Sequence, residues 1–194
     1  MDRTTAWALV QEYTTKDHLL RHMLACESAM RAYAPKFNGD VDLWGVVGLL
    51  HDFDYDRYPD MNDKNGNGHP LKGATILRER GVDETIVRAV LSHAPELTGV
   101  HPNSDMEKAL FAVDELTGFI VAVTLVRPTK SILEVELKSV KKKWKDKTFA
   151  APVRREEIEH AAAALGVTLD EHIQTVLSAM QADAEALGLK GNPT

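Results

Sequence analysis

The chain carries a single cysteine, Cys26, in 194 residues, which excludes an internal disulfide and fits a reducing compartment. It has no excess of basic charge. The formal net charge is −6, whereas nucleic-acid binders carry a basic footprint. Its start, Met1-Asp2-Arg3-Thr4-Thr5, contains an acid and leads into no apolar run, so no signal peptide is expected and the cytoplasm is the expected location. No apolar stretch of membrane length is free of charge. The nearest, residues 109–126, holds Asp114 and Glu115 at its middle, and each central charge costs about 2.5–3.5 kcal/mol in a bilayer. A buried core helix is expected there instead. No alternating β-branched run is long enough to demand a strand.

What remains reads as all-α. A hydrophobic content of 44% with 27% charged residues suits a globular protein, and the length suits one domain over 1–194. Trp7, Leu9, Val10 and Tyr13 give a short opening helix. Asp17 is placed to cap a second over 17–34, and Asp40 or Asp42 a third over 41–52. A long irregular segment, 53–69, precedes helices over 70–80 and 84–94, the second stopped by Pro95. Capping boxes at Ser104–Glu107 and Thr168–Glu171 open helices over 104–126 and 168–187. Between them Ser131 and Glu134 predict the start of a basic helix, and another helix spans 154–165; the tail 188–194 is expected to fray.

The chemistry concentrates at Gly48-Leu49-Leu50-His51-Asp52-Phe53-Asp54-Tyr55-Asp56. A helix ending at Asp52 sets a carboxylate against the negative end of its own macrodipole, unfavourable by roughly 0.3–1 kcal/mol. A bound cation reverses that sign. His22 lies in an apolar helix, His69 opens a helix, His93 closes one, and Asp114 sits inside the greasiest. A carboxylate there is costly unless paired or metal-bound. Imidazole and carboxylate together suit zinc, manganese, iron, cobalt or nickel, and the shortage of thiolates argues against a structural zinc site.

The order His22, His51-Asp52, His69, His93, Asp114, with His69-Pro70 before Gly73-Ala74, then Ser92-His93-Ala94 and Val113-Asp114-Glu115, resembles the HD-domain superfamily of metal-dependent phosphohydrolases. The resemblance covers 15–126 and leaves a helical extension over 127–187. It implies an HD-like helical bundle in which His22, His51, Asp52 and Asp114 hold one divalent ion. With His69 and His93 it implies a second ion, bridged through Asp52. The implied reaction is hydrolysis of a small phosphorylated metabolite or nucleotide by metal-activated water, with Lys72 as a candidate phosphate contact. Where several relatives carry a catalytic Glu, three residues after the Asp of the pair, this chain has Tyr55; Asp54 or Asp56 is the candidate substitute, against a reading of both as solvated loop acids. The same six positions also resemble di-iron oxygenases of this fold, and a non-catalytic metal-binding module is the third alternative. A homodimer is left open.

Other signals are weaker. Asp63-Lys64-Asn65-Gly66-Asn67-Gly68 matches half of a calcium loop, but Ala74 stands where the bidentate Glu belongs, so a lid or plain turn is expected. The run Lys138, Lys141, Lys142, Lys143, Lys145 and Lys147 reads as a solvated face or, with Arg154 and Arg155, a phosphate contact. His18 is expected to be exposed or to line the site, and His101, His160 and His172 to lie at the surface. Glu115 could support a metal ligand or pair with a base. Cys26, on an apolar face, is expected to be an inert core thiol.

Overall fold

A computed structural model describes residues 1–63 and 65–191. Among the described residues there are ten α-helices and no strand: α1 Arg3–Tyr13, α2 Asp17–Tyr33, α3 Val41–Leu50, α4 Leu71–Glu79, α5 Glu84–Ser92, α6 Pro95–Thr98, α7 Asp105–Leu125, α8 Leu137–Trp144, α9 Arg155–Ala164 and α10 Leu169–Ala182. The fold is all-α, as the residue pattern predicts.

Local chemistry sets most boundaries. Asp40 accepts from the backbone N–H groups of Asp42 and Leu43 at the start of α3, and Asp83 from Thr85 at the start of α5. Reciprocal capping boxes open α7 and α10, each satisfying two otherwise orphaned donors. The start of α2 departs from expectation. Asp17 is its first helical residue, and the entry is held instead by Asp56, which accepts from Thr15 N at 2.9 Å, Thr15 Oγ1 at 3.0 Å and Lys16 Nζ at 2.8 Å. Pro95 does more than stop α5, since it opens the single turn α6. Ser131 does not open the basic helix: a 3-10 turn, Ile132–Glu134, comes first and α8 begins at Leu137.

The centre is α2, which packs on α3, α7 and α10, while α1 covers α3 and α9 covers α7. Tyr33, Phe53, Phe119, Met23, Met30, Leu49 and Leu50 are fully buried there. The α2–α3 contact is backbone-close: a Cβ on Gly48 would meet the backbone of Cys26 and Glu27 at 2.8 Å. Only glycine permits that approach, and it brings His51 beside His22. Buried Glu27 ties α2 to α1 by pairing with Arg3, and it pairs with Arg31 of its own helix, which reaches Asp42 of α3. The final turns are packed rather than frayed as far as they are described: Leu189 is buried and its carbonyl accepts from Ile132 N at 2.8 Å. Residues 192–194, the end of the expected frayed tail, and Lys64, within the calcium-like loop, lie outside the described residues.

Candidate metal centre

Four imidazoles and two carboxylates converge from separate elements. His22 comes from the middle of α2, His51 from the C-cap of α3, with Asp52 next to it, and His93 from the C-cap of α5. His69 ends the long irregular segment, and Asp114 lies midway along α7.

Each ring is anchored through Nδ1. His51 Nδ1 donates to the Gly48 carbonyl at 2.8 Å, and His93 Nδ1 donates to the Val90 carbonyl. His69 Nδ1 donates to Asp54 Oδ1 at 2.8 Å, and His22 Nδ1 lies 3.3 Å from Thr117 Oγ1. With Nδ1 so occupied, all four Nε2 atoms face inward. They meet in pairs, His22 with His51 at 3.2 Å and His69 with His93 at 3.2 Å. Asp114 Oδ1 lies 3.0 Å from His22 Nε2 and 3.5 Å from His51 Nε2. Asp52 serves both pairs, with Oδ2 at 3.7 and 3.6 Å from His22 and His51, and Oδ1 at 3.3 and 3.4 Å from His69 and His93.

His22, His51, Asp52 and Asp114 shift one another's titration strongly. Burial opposes ionisation of Asp52, but the neighbouring His51 charge and the His93 hydrogen bond hold its carboxyl well below the usual carboxylate range. Burial likewise opposes ionisation of Asp114, and hydrogen bonds from His22 and His51 outweigh it. Burial alone would lower both histidines; the negative groups around them raise His22 and lift His51 to about 10. Yet two Nε2–H groups cannot point at each other across 3.2 Å. A cation between the rings satisfies both lone pairs and both carboxylates, so the donor set fits a divalent metal.

The centre forms the floor of a cavity of about 530 Å³, walled by Tyr55, Met61, Leu97 and Phe111 and rimmed by Glu96, Glu115, Arg154 and Glu157. Asp52 and Asp114 keep 17% and 23% of their side chains exposed, whereas the His51 side chain keeps 0%. The carboxylates are thus reachable from the cavity and His51 is sealed behind them. On the rim, Glu115 accepts from Arg154 N at 2.6 Å and Nε at 3.0 Å, and Glu157 accepts from Arg154 at 2.8 Å. Glu115 is therefore a partner of a basic side chain.

Several residues lie elsewhere than expected. Asp54 is neither a solvated loop acid nor a group facing the cavity. It is fully buried, with Oδ1 on His69 and Oδ2 accepting from Gly73 N at 2.7 Å, and a Cβ on Gly73 would stand 2.7 Å from its Cγ. Lys72 extends over the Tyr58 ring, 5.8 Å from its centroid, and is not among the residues that line the cavity. The lysines of α8 are not among them either: Lys141 pairs with Asp170 and Lys143 lies over Phe149. Arg155 is buried and donates to the carbonyls of Trp144, Asp146 and Phe149. His172 is a core residue, accepting from Tyr33 Oη at Nδ1 (2.5 Å) and donating from Nε2 to the Ala112 carbonyl at 2.9 Å. His18 is exposed. In the calcium-like loop, the Asp63 carboxylate accepts from its own loop's Asn65 N and Asn67 N. Cys26 is buried as expected but not remote, with Sγ 3.9 Å from His22 Nε2. The available signal was its place one helical turn after His22.

The HD domain family model matches residues 19–118, just over half of the chain, and the chain belongs to the HD-domain family. HD domains are generally those of metal-dependent hydrolases. The chain is also similar to the tRNA (cytidine(56)-2'-O)-methyltransferase of Thermoplasma volcanium, 32% identical over 85 residues, 44% of this chain and 23% of that protein. It thus spans less than a quarter of that curated relative's length. No solved structure matches the chain. No helix among the described residues is long and apolar enough to cross a membrane.

Proposed function

We propose that the protein is a metal-dependent phosphohydrolase acting on a small phosphorylated metabolite or nucleotide. The observation that carries this is the convergence of four Nδ1-anchored imidazoles on Asp52 and Asp114 at the floor of an open cavity. His22, His51, Asp52 and Asp114 would hold one ion, and Asp52, His69 and His93 a second. Ions there supply Lewis acidity toward phosphoryl oxygens and bring the pKa of water from about 16 to about 7.

The protein's own contribution is geometry. The main-chain anchors of His51 and His93 and the Asp54 anchor of His69 fix ring orientation before any ion arrives. Asp54 acts as a positioning residue, because both of its oxygens are engaged away from the cavity. Phe111, Leu97 and Met61 give the substrate an apolar wall beside the ionic floor. Likeness over 23% of a methyltransferase carries no methyl-transfer activity to this chain.

The test is phosphate release from a broad panel of phosphomonoesters and nucleotides, with manganese, cobalt or nickel added to metal-free protein. Metal-dependent turnover of one class is expected. Metal bound with no release from any member overturns the proposal. The reach of Asp52 to both pairs of imidazoles also supports a second reading, oxidative chemistry at two irons that these residues would hold. Two irons per chain after anaerobic purification, with oxygen uptake, would favour it.

A further inference from the structure

We propose that Cys26 is a thiolate ligand of the ion held by His22, His51, Asp52 and Asp114, so that this half of the centre is a mixed imidazole–carboxylate–thiolate site for a borderline d-block cation. This rests on the metal-centre reading above. Sγ approaches Nε2 of His22, the nitrogen turned toward the site, at 3.9 Å. Ligand atoms of His22, Cys26, His51 and Asp114 all lie within 4.8 Å of one another. Zinc bonds of about 2.3 Å to sulfur and about 2.0 Å to nitrogen, at a tetrahedral angle, separate the two ligand atoms by roughly 3.5 Å. The observed spacing needs a few tenths of an ångström of adjustment.

The other polar neighbour of the sulfur is Thr117 Oγ1 at 3.5 Å, and that hydroxyl already donates to the Asp114 carbonyl at 2.8 Å. The ring of His51 points to a cation independently of Cys26. It is fully buried, its Nδ1 is spent on Gly48, and its Nε2 is aimed at the same point with another imidazole nitrogen facing it. Metal-bound thiols lose their proton, and thiolate favours zinc, cobalt or ferrous iron over magnesium or manganese. Cys26 would then decide which ion the first half accepts.

The experiment loads metal-free protein with cobalt(II) under anaerobic conditions and compares wild type with Cys26→Ser. Cobalt per chain reads the metal centre, and a near-ultraviolet sulfur-to-cobalt charge-transfer band reads the thiolate. The expected result is a band in wild type that is absent from Cys26→Ser although cobalt stays bound, with zinc-over-manganese preference at least tenfold lower in the variant. Cobalt bound to wild type without the band, or a band that survives in Cys26→Ser, overturns the assignment. Folded wild type that binds no cobalt overturns the metal centre itself, and the thiolate with it. Should Cys26→Ser fail to fold, X-ray absorption of zinc-loaded wild type decides. A sulfur scatterer at about 2.3 Å supports the assignment, and a shell of nitrogen and oxygen alone overturns it.

Discussion

His22, His51 and Asp114 come from α2, α3 and α7, three helices packed through the core, whereas His69 and His93 come from a loop end and a helix end beside the cavity. In the first half, neutral groups anchor the rings, a main-chain carbonyl for His51 and a hydroxyl for His22. In the second, a buried carboxylate, Asp54, grips His69. Every such anchor orients its ring and raises its basicity, and a carboxylate, with full charge, does so more than a carbonyl or hydroxyl. The difference is one of charge at a single ring: His69 is held by a carboxylate, whereas His93, like His51, is held by a main-chain carbonyl.

The strongest way to break that comparison is to cut the link between the halves. Asp52→Asn should bring hydrolysis down to background and lower metal content in both halves, with circular dichroism unchanged, since Asp52 serves both. Asp54→Asn should act on one side only. Loss of the carboxylate anchor is expected to weaken the second ion by about 10–100-fold, while calorimetry still finds the first ion bound; equal weakening of both would collapse the distinction.

Acidity sharpens it further. Without metal, His22 and His51 are both raised beside depressed Asp52 and Asp114, and their facing Nε2 atoms have room for one proton between them. The histidine contribution to stability is fully present below their usual value of about 6.5 and is lost as pH rises through the raised value, about 10 for His51. A metal must displace that proton, so affinity should climb with pH over this window, roughly tenfold per pH unit. Titrations in buffers of different ionisation enthalpy measure the proton count.

His172 supplies the contrast outside the centre. It is buried with no carboxylate beside it, and burial pushes it down to about 4. Its neutral form is favoured by folding, so stability is full above about pH 6.5 and is lost as pH falls through the lowered value. The slope should be about 1.4 kcal/mol per pH unit within that window, and His172→Gln should flatten it in urea unfolding curves.

Features written in neighbouring residues were legible in the sequence. The Ser104–Glu107 and Thr168–Glu171 boxes lie three residues apart and appear where expected. The order of the six centre residues was legible too, because a histidine at a helix end and an acid inside an apolar helix are anomalous by themselves. Asp56, which holds the start of α2, was not legible, because its partners lie about forty residues away. Asp54 looked like a loop acid because the Gly73 cradle that hides it belongs to the next helix. For the α8 lysines the choice between solvated face and phosphate contact, and for Lys72 the phosphate contact itself, could not be decided from the sequence, since charge there does not say which face of a helix carries it.

Gly48 has no side chain, yet it sets how near α3 can lie to α2, and its carbonyl anchors His51. Cys26, at that contact, lies on the same helix as His22, and His51 is three residues beyond Gly48 on the other. The width of one missing methyl group therefore governs the spacing of two imidazoles: a side chain at Gly48 would push main chain off main chain and draw His51 away from His22.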